Sequence, residues 1–575
     1  MTTFSVGELL VRCLKAEGVE LMTGIIDGAH IPIVAHTPKY GIRYINAHHE
    51  EAAVHIAEGY ARVARRPGVV IANPACGTGN MLAGLVSAHG EGHPIVAIGT
   101  TRARRFSDPN RGGAWQAADT ESMARPITKY AATVRQWERI PEMVRAAFRA
   151  AMTGRPGPAF LALADELLLQ QIDEHEIPPI YPAERYRVSH MGSGDPASIE
   201  RAAELLASAS RPYIHAGKGA HWADAGGEVV ALGELLAAPM SSSMGARGVI
   251  PEDHPQFFHP FDMNGTCMAR READVVLVVG ARLGEYDGWG LPPAWGDPAQ
   301  QTTIQIDSDP MSIGINRPVD LPIVADAKAA LTALLDAAPQ CLKSRADAPS
   351  LDKYRAKSAE VAALGMAYVG ETARSGVNPA QMIMGIRQFF PPDAVTVLDG
   401  GNTTLIGVAF HPILRANSHI YSVKMGYLGT GLPFGIGAKL AMPERPVCVI
   451  TGDGALGFNI MELETAAREQ LPIVVVVAVD DAWGMEKTAF IAQGLGPREW
   501  ANRGIEITHV RYDGVAQSMG CHGEYVDHVE QLQPALERAV KSGKPAVIHV
   551  QVDHDLNARP PGWEQFRKMR TVRGY

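Results

Sequence analysis

Short runs of β-branched and apolar residues recur along the chain and are separated by longer Ala-containing stretches. "GVVIANP", "PIVAIGT", "PAFLALA", "DVVLVVGA", "TTIQID", "AVTVLDG", "PVCVITGDG", "LPIVVVVAVD" and "PAVIHVQVD" are such runs. They lack polar alternation, which marks strands buried on both faces, as in parallel sheets covered by helices. The fold class expected is α/β. The pattern breaks near 172–198 and near 338–360, where polar, Pro- or Ser-containing segments read as linkers. Three domains are therefore expected, at 1–185, 190–340 and 365–555, with a basic tail over 556–575. The first and third share a motif, a Pro-led strand after a long Ala-containing helix ("HPIVAIGT" and "LPIVVVVAVD").

A length of 575 residues suits several cores rather than one. With 46% apolar and 20% charged residues the composition is that of a soluble globular protein, and the net charge of -9 gives no general attraction for nucleic acid or anionic membranes. The six cysteines form no C-x-x-C pair, which argues against zinc and a disulfide framework. The first residues, "MTTFSVGELLVRCLKAEGVE", mix acids and bases on an amphipathic helix, and no apolar run reaches spanning length. A cytoplasmic protein without nucleic-acid or membrane partners is expected.

The chemistry concentrates in "GDGALGFNIMELETAAREQLPIVVVVAVDD", residues 452–481. Asp453 follows a buried strand, at the edge where open α/β sheets bind ligands. Gly452, Gly454 and Ala455 then offer backbone N–H groups to an anion at a helix start. A helix and return strand bring Asp481 to the same edge. Two carboxylates beside a phosphate cradle suit Mg²⁺, although each acid could equally cap a helix.

These motifs resemble the thiamine-diphosphate-dependent enzymes of the acetolactate synthase and pyruvate decarboxylase superfamily, in which Gly-Asp-Gly is followed by a helix, a strand and usually Asn-Asn. The resemblance implies that Asp453, Asp481 and the carbonyl of Trp483 bind Mg²⁺. "INAHHEEAAVHIAEGYAR" (45–62) is similar to the family's pyrimidine-domain helix and makes Glu50 the acid that meets N1′ of the aminopyrimidine and assists loss of the thiazolium C2 proton. Glu51 and Glu58 fit a solvated helix face better. His49 is the most plausible acid/base group among His48, His49 and His55. "NPACGTGN" (73–80) resembles the turn after that helix and adds Asn80. It has Asn73 where benzoylformate decarboxylase has its catalytic histidine, so that enzyme's proton relay does not carry over. "AWQAAD" places Gln116 towards substrate. "LDGGNTTLIG" resembles the first diphosphate loop, with Asn402 and Thr403 on phosphate oxygens. "KMGYLGTGLPFGIGAKLA" resembles the segment with an apolar wedge, here Leu428, flanked by the Gly426 carbonyl and Leu428 N–H that hold the pyrimidine.

The resemblance further implies a homodimer or homotetramer with active sites shared between subunits. The middle domain is similar to the branch in which it holds FAD, ADP, the nucleotide of CoA, or nothing. Glu486 is a candidate second acid; its bland alternative is an exposed loop acid paired with Lys487. The expected activity is that of an acetolactate synthase-like lyase or carboligase acting on a 2-oxo acid. Two alternatives stand beside it: a 2-hydroxyacyl-CoA lyase or oxalyl-CoA decarboxylase-like enzyme, and an inactive cofactor-binding paralogue. The cations of the tail suit a carboxylate or CoA phosphates, as in a segment that closes over the active site.

Overall fold

The computed structural model describes residues 3–107, 109, 112–188, 191–341, 350–494, 503–564 and 567. Among them, three parallel sheets account for the long apolar strands. The first comprises β1 (Leu21–Gly24), β2 (Arg43–Asn46), β3 (Gly68–Ala72), β4 (Ile95–Thr101), β5 (Tyr130–Val134) and β6 (Ala159–Ala164), in spatial order β2-β1-β3-β4-β6-β5. The second comprises β7 (Pro212–Ala216), β8 (Met240–Ser242), β9 (Val275–Val279), β10 (Thr302–Asp307) and β11 (Leu321–Val324), in the order β8-β7-β9-β10-β11. The third comprises β12 (Val395–Leu398), β13 (His419–Ile420), β14 (Val447–Gly452), β15 (Val474–Val479), β16 (His522–Val526) and β17 (Ala546–Gln551), in the order β13-β12-β14-β15-β17-β16.

Outer sheets one and three thus have the same strand order. Central strands such as β15 and β17 are buried along nearly their whole length, which is why their sequences do not alternate. No described helix is long and apolar enough to cross a membrane.

The helices that place the site are α1 (Glu50–Ala64), α2 (Cys76–Glu91), α3 (Asp352–Val369), α4 (Asn402–Phe410), α5 (Gly431–Ala441), α6 (Asp453–Asn459), α7 (Gly484–Gln493) and α8 (His554–Asn557). Part of the stretch read as a linker near 338–360 is therefore helical. Its α3 buries Tyr354, whose hydroxyl donates to Glu272 at 2.9 Å, so a polar surface sequence hides an anchored face.

Helices α1 and α5 follow the second strand of their own sheets and pack against each other, joining the outer layers into one core. Small residues permit the approach. A Cβ on Gly437 would lie 2.0 Å from the Ile56 carbonyl oxygen, and one on Gly59 would lie 2.4 Å from that of Phe434.

Glu51 and Glu58, expected on a solvated face, are instead buried in this contact. They flank His55, whose Nδ1 is 2.7 Å from Glu58 and whose Nε2 is 3.1 Å from Glu51. His93 Nδ1 lies 2.9 Å from the other oxygen of Glu58. Burial alone would lower the His55 pKa, but the two carboxylates outweigh it and raise it to about 9. The acids escape solvent because each has a buried partner.

Four outcomes are expected. Gly437→Ala should destabilise the protein by about 1–3 kcal/mol, because the helices must separate. Gly227→Ala, where a Cβ meets nothing within 4 Å, should be neutral or stabilise by roughly 0.4–1 kcal/mol in the same denaturation experiment. His55 has a folded pKa above its unfolded value, so its stabilisation is complete below about pH 6.5 and is lost as pH rises towards 9. The melting temperature should fall across that interval, and His55→Gln should flatten the fall.

Candidate active site

Three strands of the third sheet end at one edge, and each feeds a site segment. After β12 come Asp399, Gly400 and Gly401, then α4; after β14 comes α6, opening with Asp453; after β15 come Asp480 and Asp481, then α7. The segments touch closely. A Cβ on Gly400, which has φ +96°, would meet Gly452 N at 3.2 Å, and one on Gly454 would meet the Trp483 ring at 2.9 Å. Helix starts converging in this way present backbone N–H groups to an anion.

Asp453 and Asp480 are both buried, at 2% and 5% exposure, and burial together with their mutual repulsion raises the pKa of Asp453. That of Asp480 is also raised, chiefly by burial. Two like charges held out of water are costly unless one takes up a proton or a cation compensates them.

Asp481, the expected partner of Asp453, follows Asp480 in the same turn. Its backbone takes φ +55° and turns the side chain outwards, 3.1 Å from His509 Nδ1. Only its N–H faces inwards, donating to Asp453 at 2.8 Å. The Trp483 carbonyl accepts the first helical bond of α7, from Lys487 N at 3.0 Å, and that of Asp481 accepts from Ile507 N at 2.8 Å.

Other expected residues separate into groups. Asn402 is at the cradle, but its amide nitrogen donates to Thr488 Oγ1 at 2.9 Å and to the Asn557 carbonyl at 2.8 Å. Its side-chain oxygen, an acceptor, is left without a partner among the described residues. Thr403 is buried beside Gly452, which would bring a Cβ within 3.3 Å of its hydroxyl. Gly426, at φ +54°, and half-buried Leu428 lie in the loop before α5. The buried carboxylate of Asp399 fastens that loop by accepting from Gly431 N at 2.9 Å and from Gly400 N at 2.7 Å.

Glu50 opens α1 and is buried. Asn80 donates to its carboxylate at 3.1 Å, and a Cβ on Gly77 would stand 2.5 Å from Glu50 and 1.8 Å from Asn73. Its polar surroundings belong to the first domain. Among them the Asn73 amide oxygen and the Tyr44 hydroxyl are buried without partners, and the Tyr44 pKa is raised by burial and by the Glu50 charge. His49 caps α1, its Nδ1 accepting from Glu51 N at 3.3 Å, with nearly half its side chain exposed. Gln116 sits half-buried in a loop, at φ +51°. Glu486 is exposed, whereas Lys487 is buried against His554.

Sequence reasoning missed Asp480, Asp399, Asn557 and Glu91. The last is a fully buried acid that ends α2 and accepts from Lys424 N at 2.5 Å and Met425 N at 3.3 Å, while forming an ion pair with Lys218. It holds the loop before Gly426 against the first and middle domains. Lys218 also lines a cavity of about 790 Å³ with Arg65, Arg155, Arg282 and Asp307, at the carboxyl ends of β7, β9 and β10. In the tail, Arg559 pairs with Glu371 and Arg567 with Glu564 at the surface. The tail cations Lys568, Arg570 and Arg573 lie outside the described residues.

Residues 4–123 match the thiamine pyrophosphate enzyme N-terminal TPP binding domain, 199–334 the central domain and 399–550 the C-terminal TPP binding domain. A sulfoacetaldehyde acetyltransferase of Alcaligenes xylosoxydans xylosoxydans is 30% identical over 590 residues, covering 96% of this chain and 93% of that one. A probable acetolactate synthase large subunit of Methanocaldococcus jannaschii is 29% identical, with 98% and 95% covered. The acetolactate synthase isozyme 3 large subunit of Escherichia coli (strain K12) is 28% identical over the whole of both chains. With all three domains matched in order and the acid-bearing edge inside the third, the chain belongs to the thiamine pyrophosphate enzymes, which act on carbon–carbon bonds.

Proposed function

We propose that the chain binds thiamine diphosphate with Mg²⁺ and acts on a 2-oxo acid in the manner of an acetolactate synthase. It removes the carboxylate as CO₂ and delivers the remaining acyl carbon to a proton or to a carbonyl acceptor. The observation that carries this reading is the buried Asp453–Asp480 pair at the start of α6 and α7, beside the start of α4. Such a set holds a hydrated divalent cation and the phosphates it neutralises.

That cation would be held by Asp453 and Asp481 with the carbonyl of Trp483, and the buried carboxylate of Asp480 beside them adds negative charge that favours it. When bound, the cofactor supplies a nucleophilic carbon and an electron sink. Leu428 supplies the apolar wedge, and the Gly426 carbonyl and Leu428 N–H hold the pyrimidine edge. Glu50 holds and returns the proton at N1′, with Asn80 fixing its carboxyl. Gln116 and Glu486 face substrate from the first and third domains.

Glu50 finds its neighbours in the first domain, while the acid pair belongs to the third, which supports a homodimer whose sites each take Glu50 from one chain and the acid pair from the other. Paired dimers would form a homotetramer.

A second reading rests on the cation-lined central cavity, whose Arg65, Arg155, Lys218 and Arg282 suit a nucleotide diphosphate: FAD, ADP or the nucleotide of CoA. With CoA there, the substrate becomes a 2-hydroxyacyl-CoA or an oxalyl thioester. CO₂ release from a panel of 2-oxo acids tests the first reading; activity only on acyl-CoA substrates would replace it with the second.

Glu50→Gln and Asp453→Ala chains should each be inactive by orders of magnitude, and subunit exchange between them should restore activity through one intact site per mixed dimer. Heterodimers that form but stay inactive would refute the shared site. Asp481→Ala should weaken Mg²⁺-dependent cofactor binding in a fluorescence titration, whereas Asp481→Asn should largely retain it. Equal affinity in Asp481→Ala would remove Asp481 from the metal.

A further inference from the structure

We propose that Asn73, the residue after β3, is a positioning residue for Glu50 that serves its carboxyl group both with and without a proton. The inference rests on the reading of Glu50 as the acid that holds and returns the proton at N1′. Glu50 is 5% exposed, and a side-chain amide stands on either side of its carboxyl group. Asn80 Nδ2 donates to Oε2 at 3.1 Å. On the other side, a Cβ built on Gly77 would stand 2.5 Å from Glu50 Oε1, 1.8 Å from Asn73 Oδ1 and 2.6 Å from Asn73 Cγ. Oε1 and the Asn73 amide therefore face each other across the space that this glycine leaves empty.

The backbone of Asn73 is anchored there. Its carbonyl accepts from Thr78 N at 3.1 Å and from Thr78 Oγ1 at 2.9 Å, and Thr78 is fully buried. The Asn73 amide oxygen is buried without a partner among the described residues. Buried acceptors are seldom left so. An ionised Glu50 cannot satisfy it, because a carboxylate only accepts, whereas a protonated Glu50 donates to it from Oε1. Once that proton has left, a half-turn of the amide presents N–H to the same oxygen. An amide at this place binds both states of the acid, so a proton can leave and return without stranding a buried polar group.

Two further groups feel the Glu50 charge without a hydrogen bond to it among the described residues. The Tyr44 hydroxyl, on β2, is buried and its pKa is raised by burial and by Glu50. His30 is fully buried, with Nε2 2.9 Å from the Ile25 carbonyl oxygen, and burial lowers its pKa against the charges of Asp27 and Glu50.

The placement is tested on the cofactor-free protein. Asn73→Asp sets a second carboxylate against Oε1, so like charges oppose ionisation of the pair. Its stability is then retained at low pH and lost as the pair ionises, and its melting temperature should fall further below the parent's at about pH 8 than at about pH 5. Glu50→Gln should remove that dependence. An equal deficit at both pH values would overturn the placement.

The role is tested by exchange of the thiazolium C2 proton for deuterium in thiamine diphosphate bound with Mg²⁺. Asn73→Leu, which keeps the bulk without the amide, should slow exchange near neutral pH by about tenfold or more, while cofactor affinity in a fluorescence titration changes by less than about threefold. Asn73→Ala should do the same if the leucine variant does not fold. In Asn73→Asp the midpoint of exchange rate against pH should move up by about one unit or more. In a Glu50→Gln background, Asn73→Leu should change exchange by less than about twofold, since a residue acting through Glu50 has nothing left to act on. Parent-like exchange in the leucine and alanine variants, or a further loss in the Glu50→Gln background, would overturn the inference. Exchange that is undiminished in Glu50→Gln alone would instead remove the reading of Glu50 on which it rests.

Discussion

Two carboxylates buried side by side at the end of a parallel sheet constrain everything around them. Asp453 and Asp480 repel each other in a medium that screens poorly, so the fold has to supply compensation. Part of it is in the chain. Gly454 N and Asp481 N donate to Asp453, and Asn557 donates to Asp480. The rest has to come from a proton or a positive charge, and the helix starts beside the pair point backbone N–H groups into the same place. The convergence of these helix starts and the anchoring of α8 on Asp480 both answer to one unfavourable burial.

That edge has to be held at a fixed place relative to the first domain, and helices α1 and α5 do this. They occupy the same position in two sheets of identical strand order, so their pairing relates the two outer layers as halves of one design. The buried chain Glu51–His55–Glu58–His93 runs along the contact, and His55 stands edge-on to Tyr427, the residue before the Leu428 wedge. Close packing through Gly437 and Gly59 leaves little room for the helices to slide. Glu91 adds a second joint, holding the same loop from α2 while Lys218 links it to the central cavity. The loop before α5 is thereby held by residues of all three domains.

The fold was legible in the sequence because burial on both faces removes alternation from a strand, and nine such runs mark the parallel sheets. Asp453 and Glu50 were legible for a similar reason: each sits at a helix start just after a strand, in a motif whose spacing is fixed by the backbone. The families of the N-terminal, central and C-terminal domains follow from those motifs. Composition could not separate Glu51 and Glu58 from surface acids, since nothing in the local pattern reveals that α5 covers that face of α1.

What only the tertiary structure decided is which of two adjacent acids is buried. "DD" offers Asp480 and Asp481 in either register, and a strand places neighbours on opposite sides. The left-handed turn at Asp481 settles the choice, giving Asp480 to the interior and Asp481 to His509. Asn557 was equally out of reach, because its partner lies 77 residues earlier and a hydrogen bond leaves no period in the chain. Local sequence determined the strands, the helix starts and the acids available. Contacts between distant segments determined which of those acids are buried together, because burial is a property of what packs against a residue and not of the residue itself.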